Sequence, residues 1–167
     1  MTTATETATT QVYRIYIRST PEKVWDAITK PEWTERYGYG GVADYDLRPG
    51  GRANVKPGPA MSGFEGIPDL IIDGEFLEVA PPRKLVQTWR MLMDPEMKEE
   101  GFTKLTYDIE SIGDGVTKLT VIHELENAPK LAHMVAGGLE HTGAGGGWAW
   151  VLSDLKTVLE SGRHMAA

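Results

Sequence analysis

Two hydrophobic periods alternate along this chain. Across residues 11–19, "QVYRIYIRS", Tyr13, Ile15 and Ile17 fall on one face, and Val12, Arg14, Tyr16 and Arg18 on the other. A period of two, rich in β-branched and aromatic residues, predicts a strand. The period changes at "STPEKVWDAIT", where Val24, Trp25, Ala27 and Ile28 recur at helical spacing. Ser19 or Thr20 supplies a cap, Pro21 suits the first turn, and Glu22 suits the positive end of a helix. Pro31 ends that helix, and "PEWTERYG" predicts a second short one.

Period-two segments separated by turn residues follow. "VADYDLRPGGRANVK" predicts a hairpin about "RPGG" at 48–51. "LIIDGEFLEVAPPRKLVQTWRMLM" predicts two strands joined at 80–84, and "FTKLTYDIESIGDGVTKLTVIHEL" two more around "GDG" at 113–115. Six or seven strands with short connections make an antiparallel meander, which must bury one face. The segment "PGPAMSGFEGIPD" (57–69) is too rich in Pro and Gly for a strand but carries Met61, Phe64 and Ile67. It predicts either a lid or a surface loop tucking three side chains onto the sheet. The last pattern is helical: Trp148, Val151, Leu152, Leu155, Val158 and Leu159 form a stripe, with Asp154, Lys156, Thr157 and Glu160 elsewhere on the circle, ending near Ser161 before Gly162. The expected organisation is one α+β domain over 11–162, between a polar Thr-rich tail at 1–10, expected to be disordered, and a short tail at 163–167.

Composition narrows the function. A net charge of −7 argues against nucleic acid, whose phosphates need a basic patch, and against an anionic membrane surface. The chain contains no cysteine, which excludes disulfides and thiol chemistry. The N-terminus lacks a basic and apolar leader, so a cytoplasmic protein is expected. The four histidines, His123, His133, His141 and His164, have no metal-ligand spacing, so neither metal nor cofactor is expected.

The element order, with the stretches "TPEKVWDAITKPEW", "DLRPGGRA", "GEFLEVAPPRKLVQTWR", "LTYDIESIGDGVTKLTVIHE" and "GGWAWVLSDLKTVLE", resembles the START-like helix-grip (SRPBCC) superfamily. Birch-pollen allergen and aromatic polyketide cyclases belong to that superfamily. The nearest resemblance is to the family named for activators of a heat-shock-protein ATPase, over about residues 11–161. The resemblance implies a curved sheet wrapped around the C-terminal helix, with an apolar cavity between them. It also implies a Gly-Trp pair within that helix.

Within this frame the residues suggest a site. Six glycines crowd positions 137–147, but neither G-x-G-x-x-G nor a P-loop is present. They are read as making room, by close backbone packing or by leaving cavity volume at Gly146 beside Trp148. Leu119, Val121 and His123 share one strand phase, and Leu105, Tyr107 and Ile109 share another. If those faces point inward, His123 and Tyr107 are polar groups in an apolar cavity, and candidates for acid–base work or ligand hydrogen bonding. The alternative is a satisfied histidine at a strand end. Gln87, Trp89, Met91 and Met93 share a phase able to line a pliable pocket, or plain core. Trp33 and Tyr37 are expected near the mouth, with Met61 and Phe64 closing over it.

The leading expectation is a carrier, sensor or accessory protein for an apolar or aromatic small molecule. A cyclase- or hydrolase-like enzyme using the same cavity is the alternative, and a co-chaperone acting by surface contact a third. A homodimer is left open.

Overall fold

The strand period at the N-terminus becomes β1 (Thr10–Arg18), which pairs antiparallel with a strand more than a hundred residues later, Thr10 opposite Glu124 and Arg18 opposite Val116. The computed structural model describes residues 9–63, 65–143 and 145–165. Most of the 1–10 tail therefore lies outside the described residues, although Thr10 is already in the strand. Thr20 caps α1 (Pro21–Thr29), its hydroxyl accepting from the Lys23 amide, and α2 (Pro31–Thr34) follows at once. Val24, Trp25, Ala27 and Ile28 are buried, as their spacing requires.

The sheet continues as β2 (Val42–Tyr45), β3 (Ala53–Lys56), β4 (Ile72–Asp73), β5 (Phe76–Ala80), β6 (Lys84–Met91), β7 (Thr103–Gly113) and β8 (Val116–Glu124). Its order is β1-β8-β7-β6-β4-β3-β2, with β5 also paired to β6, and every pairing is antiparallel. Eight strands replace the expected six or seven because "LIIDGEFLEVA" is broken at Gly74. A Cβ there would run into the carbonyl oxygen of Thr88, so only glycine lets the two backbones approach. A register shift between Phe76 and Glu78 adds to the irregularity, and such breaks bend a sheet.

Two short helices escaped the sequence reading. In α3 (Pro95–Glu100) the Asp94 carboxylate accepts from the amides of Glu96 and Met97. In α4 (Pro129–Val135), Leu131, Ala132 and Val135 are buried. Both open on Pro at the first position, a signal present in the sequence.

The last helix, α5 (Trp148–Ser161), stops where Gly162 takes a left-handed conformation. It buries Trp148, Leu152, Leu155 and Val158 in the main core with Ile17, Leu105, Leu119 and Val121. It also lies along β1, with Lys156 Nζ donating to the Tyr16 carbonyl at 2.6 Å and Glu160 accepting from the Arg18 amide at 2.8 Å. The architecture is an α+β helix-grip, an open antiparallel sheet closed around its C-terminal helix. Asp154 departs from expectation: it is 3 % exposed, not on a solvated face. Its position relative to Val151, Leu155 and Val158 places it on the apolar stripe.

The Gly-Trp pair is not inside the helix. Gly147 is its N-cap, at φ +67°, and the preceding glycines are not helical. A Cβ on Gly147 would meet the Val135 carbonyl oxygen, one on Gly145 the ring of Tyr39, and one on Gly138 the ring of His133. The room these glycines make is close passage between chain segments.

Candidate functional site

Between the inner face of β6–β7, the start of α5 and the segment after α2 lies a pocket of about 190 Å³. Trp89 and Met91 approach it from β6 and Tyr107 from β7. Trp148 closes it from α5, Tyr37 from the loop after α2, and Met61 from a single 3₁₀ turn at Pro59–Met61. Six of the sequence-selected residues thus meet around one space. Gly146 is buried but lies beside Glu140 and Trp150, and its neighbour Gly147 reaches the pocket instead. Trp33 packs on the core beneath the Arg36 guanidinium, 4.6 Å from its ring centre, and does not line the pocket. Phe64 lies outside the described residues.

His123 stands behind the pocket wall, fully buried. The indole N–H of Trp148 donates to its Nδ1 at 3.1 Å. An indole only donates, so Nδ1 accepts and the ring proton of a neutral histidine sits on Nε2. Nε2 lies 2.8 Å from the Thr103 hydroxyl, which spends its own proton on the Trp89 carbonyl, also at 2.8 Å. The chain Trp148–His123–Thr103–Trp89 is therefore complete, with both imidazole nitrogens in use. Burial lowers the His123 pKa to about 3, keeping the ring neutral. Trp89 also meets the imidazole edge-to-face at 5.2 Å. His123 thus holds two tryptophans of the pocket wall.

The pocket's polar groups are mainly phenols. Tyr37 donates to the Ala27 carbonyl at 2.9 Å. The hydroxyls of Tyr45 and Tyr107 have no hydrogen-bond partner among the described residues, and both residues line the pocket. Burial pushes the Tyr45 hydroxyl up to about 12. Burial, and then the nearby hydroxyls of Tyr45 and Tyr37, push Tyr107 well above the ordinary phenol range. These hydroxyls stay protonated at neutral pH.

Sequence reasoning passed over the ties at the mouth. The Tyr39 hydroxyl accepts from the Gly147 amide at 3.1 Å, joining the loop after α2 to the start of α5. The Asp154 carboxylate accepts from the Gly38 amide at 2.9 Å and from the Met165 amide at 2.7 Å. The C-terminal tail therefore folds back onto the helix as far as Met165.

The fold defines a helix-grip protein, with a pocket between sheet and C-terminal helix whose lining, among the described residues, is uncharged. The chain belongs to the family described as activator of Hsp90 ATPase homolog 1-like protein, whose model matches residues 18–160. No curated protein sequence matches it significantly. Solved structures with the same fold include an HSP90 activator from Plasmodium falciparum, at 21% identity over 90% of this chain and 95% of that one, with a TM-score of 0.63. The Aha1 dimer from Colwellia psychrerythraea is similar at 20% identity, over 92% of this chain and 97% of that one, with a TM-score of 0.60. DynU16, described as belonging to the dynemicin biosynthetic locus, is similar at 16% identity, over 93% of this chain but 48% of that one, with a TM-score of 0.58. Among the described residues no helix is long and apolar enough to cross a membrane.

Proposed function

We propose that this protein binds an apolar or aromatic small molecule in the pocket between sheet and C-terminal helix, as a carrier, sensor or accessory protein. The observation that carries this reading is the lining: aromatic, aliphatic and methionine side chains with a few phenols, and no charged residue. Such composition suits a small-molecule site, where apolar surface supplies affinity and a few polar groups supply orientation. The likeness to DynU16, whose locus is biosynthetic, is compatible with it. Native mass spectrometry of the freshly purified chain tests it directly. A co-purifying organic compound, displaced by an excess of an apolar aromatic probe that also quenches tryptophan fluorescence, is the expected result. An empty protein that takes up no such probe would end the reading.

The cyclase- or hydrolase-like alternative keeps His123 and Tyr107 as its candidates; it is less favoured because both nitrogens of His123 already have partners in Trp148 and Thr103. A second reading, stimulation of a heat-shock ATPase by surface contact, draws on the family's description and on the Plasmodium relative. An Hsp90 ATPase assay with the purified chain decides it. The Colwellia dimer gives a precedent for self-association, which sedimentation measures.

A further inference from the structure

The size, charge and unspent hydrogen-bonding groups of the pocket narrow its ligand, provided the binding reading above is correct. A space of about 190 Å³ is somewhat larger than the cavities of about 150 Å³ that take up benzene, and smaller than the 300–1,000 Å³ of drug-sized sites. One ring with a substituent, or two fused rings, fills it. Among the described residues no lining side chain is charged, so an ion placed there would lose its hydration with no counter-charge.

The polar inventory sets the ligand's hydrogen-bonding sense. Tyr37 has given its proton to the Ala27 carbonyl, and Trp148 has given its indole proton to His123. The Thr34 hydroxyl lies 3.4 Å from the Pro31 carbonyl and accepts from the Ala43 amide at 3.0 Å. What remains, among the described residues, are the hydroxyl protons of Tyr45 and Tyr107, the indole N–H of Trp89, and at the mouth the proton of Tyr39, whose oxygen already accepts from Gly147. All four have a proton to give, and the indole can do nothing else. These residues line the pocket, and one carbonyl oxygen of a ligand there offers two lone pairs. Tyr45 and Tyr107 line the same space, so a single ligand carbonyl placed between them can serve both.

We infer that the ligand is an uncharged one- or two-ring aromatic carbonyl compound, its oxygen accepting from Tyr45 and Tyr107. The rings then lie among Trp89, Met91 and Trp148, and the two tyrosines determine specificity rather than affinity for apolar surface.

Calorimetric titration of the full chain with three probes tests this: acetophenone, α-methylstyrene, in which a methylene replaces the carbonyl oxygen, and benzoate. Wild type is expected to bind the first two, and benzoate about a hundredfold more weakly than acetophenone, since its charge would be unpaired. In Tyr45→Phe/Tyr107→Phe the ratio of acetophenone to α-methylstyrene affinity should fall about tenfold or more, the scale of one or two hydrogen bonds. Retained α-methylstyrene binding confirms that the variant is folded, and the single Phe variants repeat the measurement with less perturbation. An unchanged ratio overturns the assignment of the tyrosines while leaving the pocket reading intact. Benzoate binding as tightly as acetophenone overturns the uncharged class. Failure of wild type to bind either neutral probe overturns the pocket reading itself, and this inference with it.

Discussion

Trp148 donates its indole N–H to Nδ1 of His123 across a buried 3.1 Å contact, and that one bond determines what the histidine can do. It holds the ring in the Nε2–H tautomer and leaves no lone pair for a proton or a ligand. Behind the pocket wall, His123 is thereby tied to Trp148 and packed edge-to-face on Trp89.

The burial of the same ring is measurable as pH dependence. The folded pKa of His123, about 3, lies below its ordinary value of 6.5. As pH falls below about 6.5 the unfolded chain takes up a proton that the folded chain refuses, so stability falls; above that pH the contribution is fully present. Between pH 7 and 5 this amounts to about 2 kcal/mol, from a slope approaching 1.4 kcal/mol per unit. Urea unfolding of wild type and His123→Gln across this range should give a stability difference that changes by that amount. A difference independent of pH would mean that His123 titrates alike in both states.

The helix-grip architecture makes a second prediction. Leu155 is 1 % exposed, facing the core shared by α5 and the sheet. Leu155→Ala should destabilise by about 2–5 kcal/mol, combining lost transfer energy with the cavity left behind. Chemical denaturation measures this, and a cost near zero would contradict the packing of α5.

The glycine cluster supplies the third. Gly143 and Gly147 both have positive φ, at +84° and +67°, but only Gly147 is hemmed in, by the Val135 carbonyl. Gly143→Ala should cost about 1–2 kcal/mol, the left-handed penalty for a residue with a Cβ. Gly147→Ala should cost clearly more, because the α4–α5 junction must also open. Equal thermal shifts for the two variants would show that the close approach is not tight in solution.

Much of the fold could be read from local pattern. The helix of Val24, Trp25 and Ile28, the shared phase of Leu105, Tyr107 and Ile109, and the stop at Gly162 all followed from period and capping, although only the structure showed that this phase faces inward. The structure turns the phases of Tyr107 and of Trp89 and Met91 to one pocket, a choice that alternation left open. The missed elements were small. Asp94-Pro95 and Pro129 announce helices of less than two turns, too short for an apolar stripe to repeat, and the break at Gly74 depends on a carbonyl fourteen residues further on.

By itself, then, the sequence determined which of the longer segments become strand or helix, because period, caps and turn residues act within a few positions. Tertiary structure alone decided what the polar side chains do. His123 finds its partners 25 and 20 residues away, in Trp148 and Thr103, and Asp154 finds the Gly38 amide 116 residues away. A strand phase turns His123 and Tyr107 to the same face, but only the folded chain gives one of them two hydrogen-bond partners and leaves the other none. The physical reason is that a polar group's role depends on the donors and acceptors within about 3 Å of it, and in this fold those arrive from distant parts of the chain.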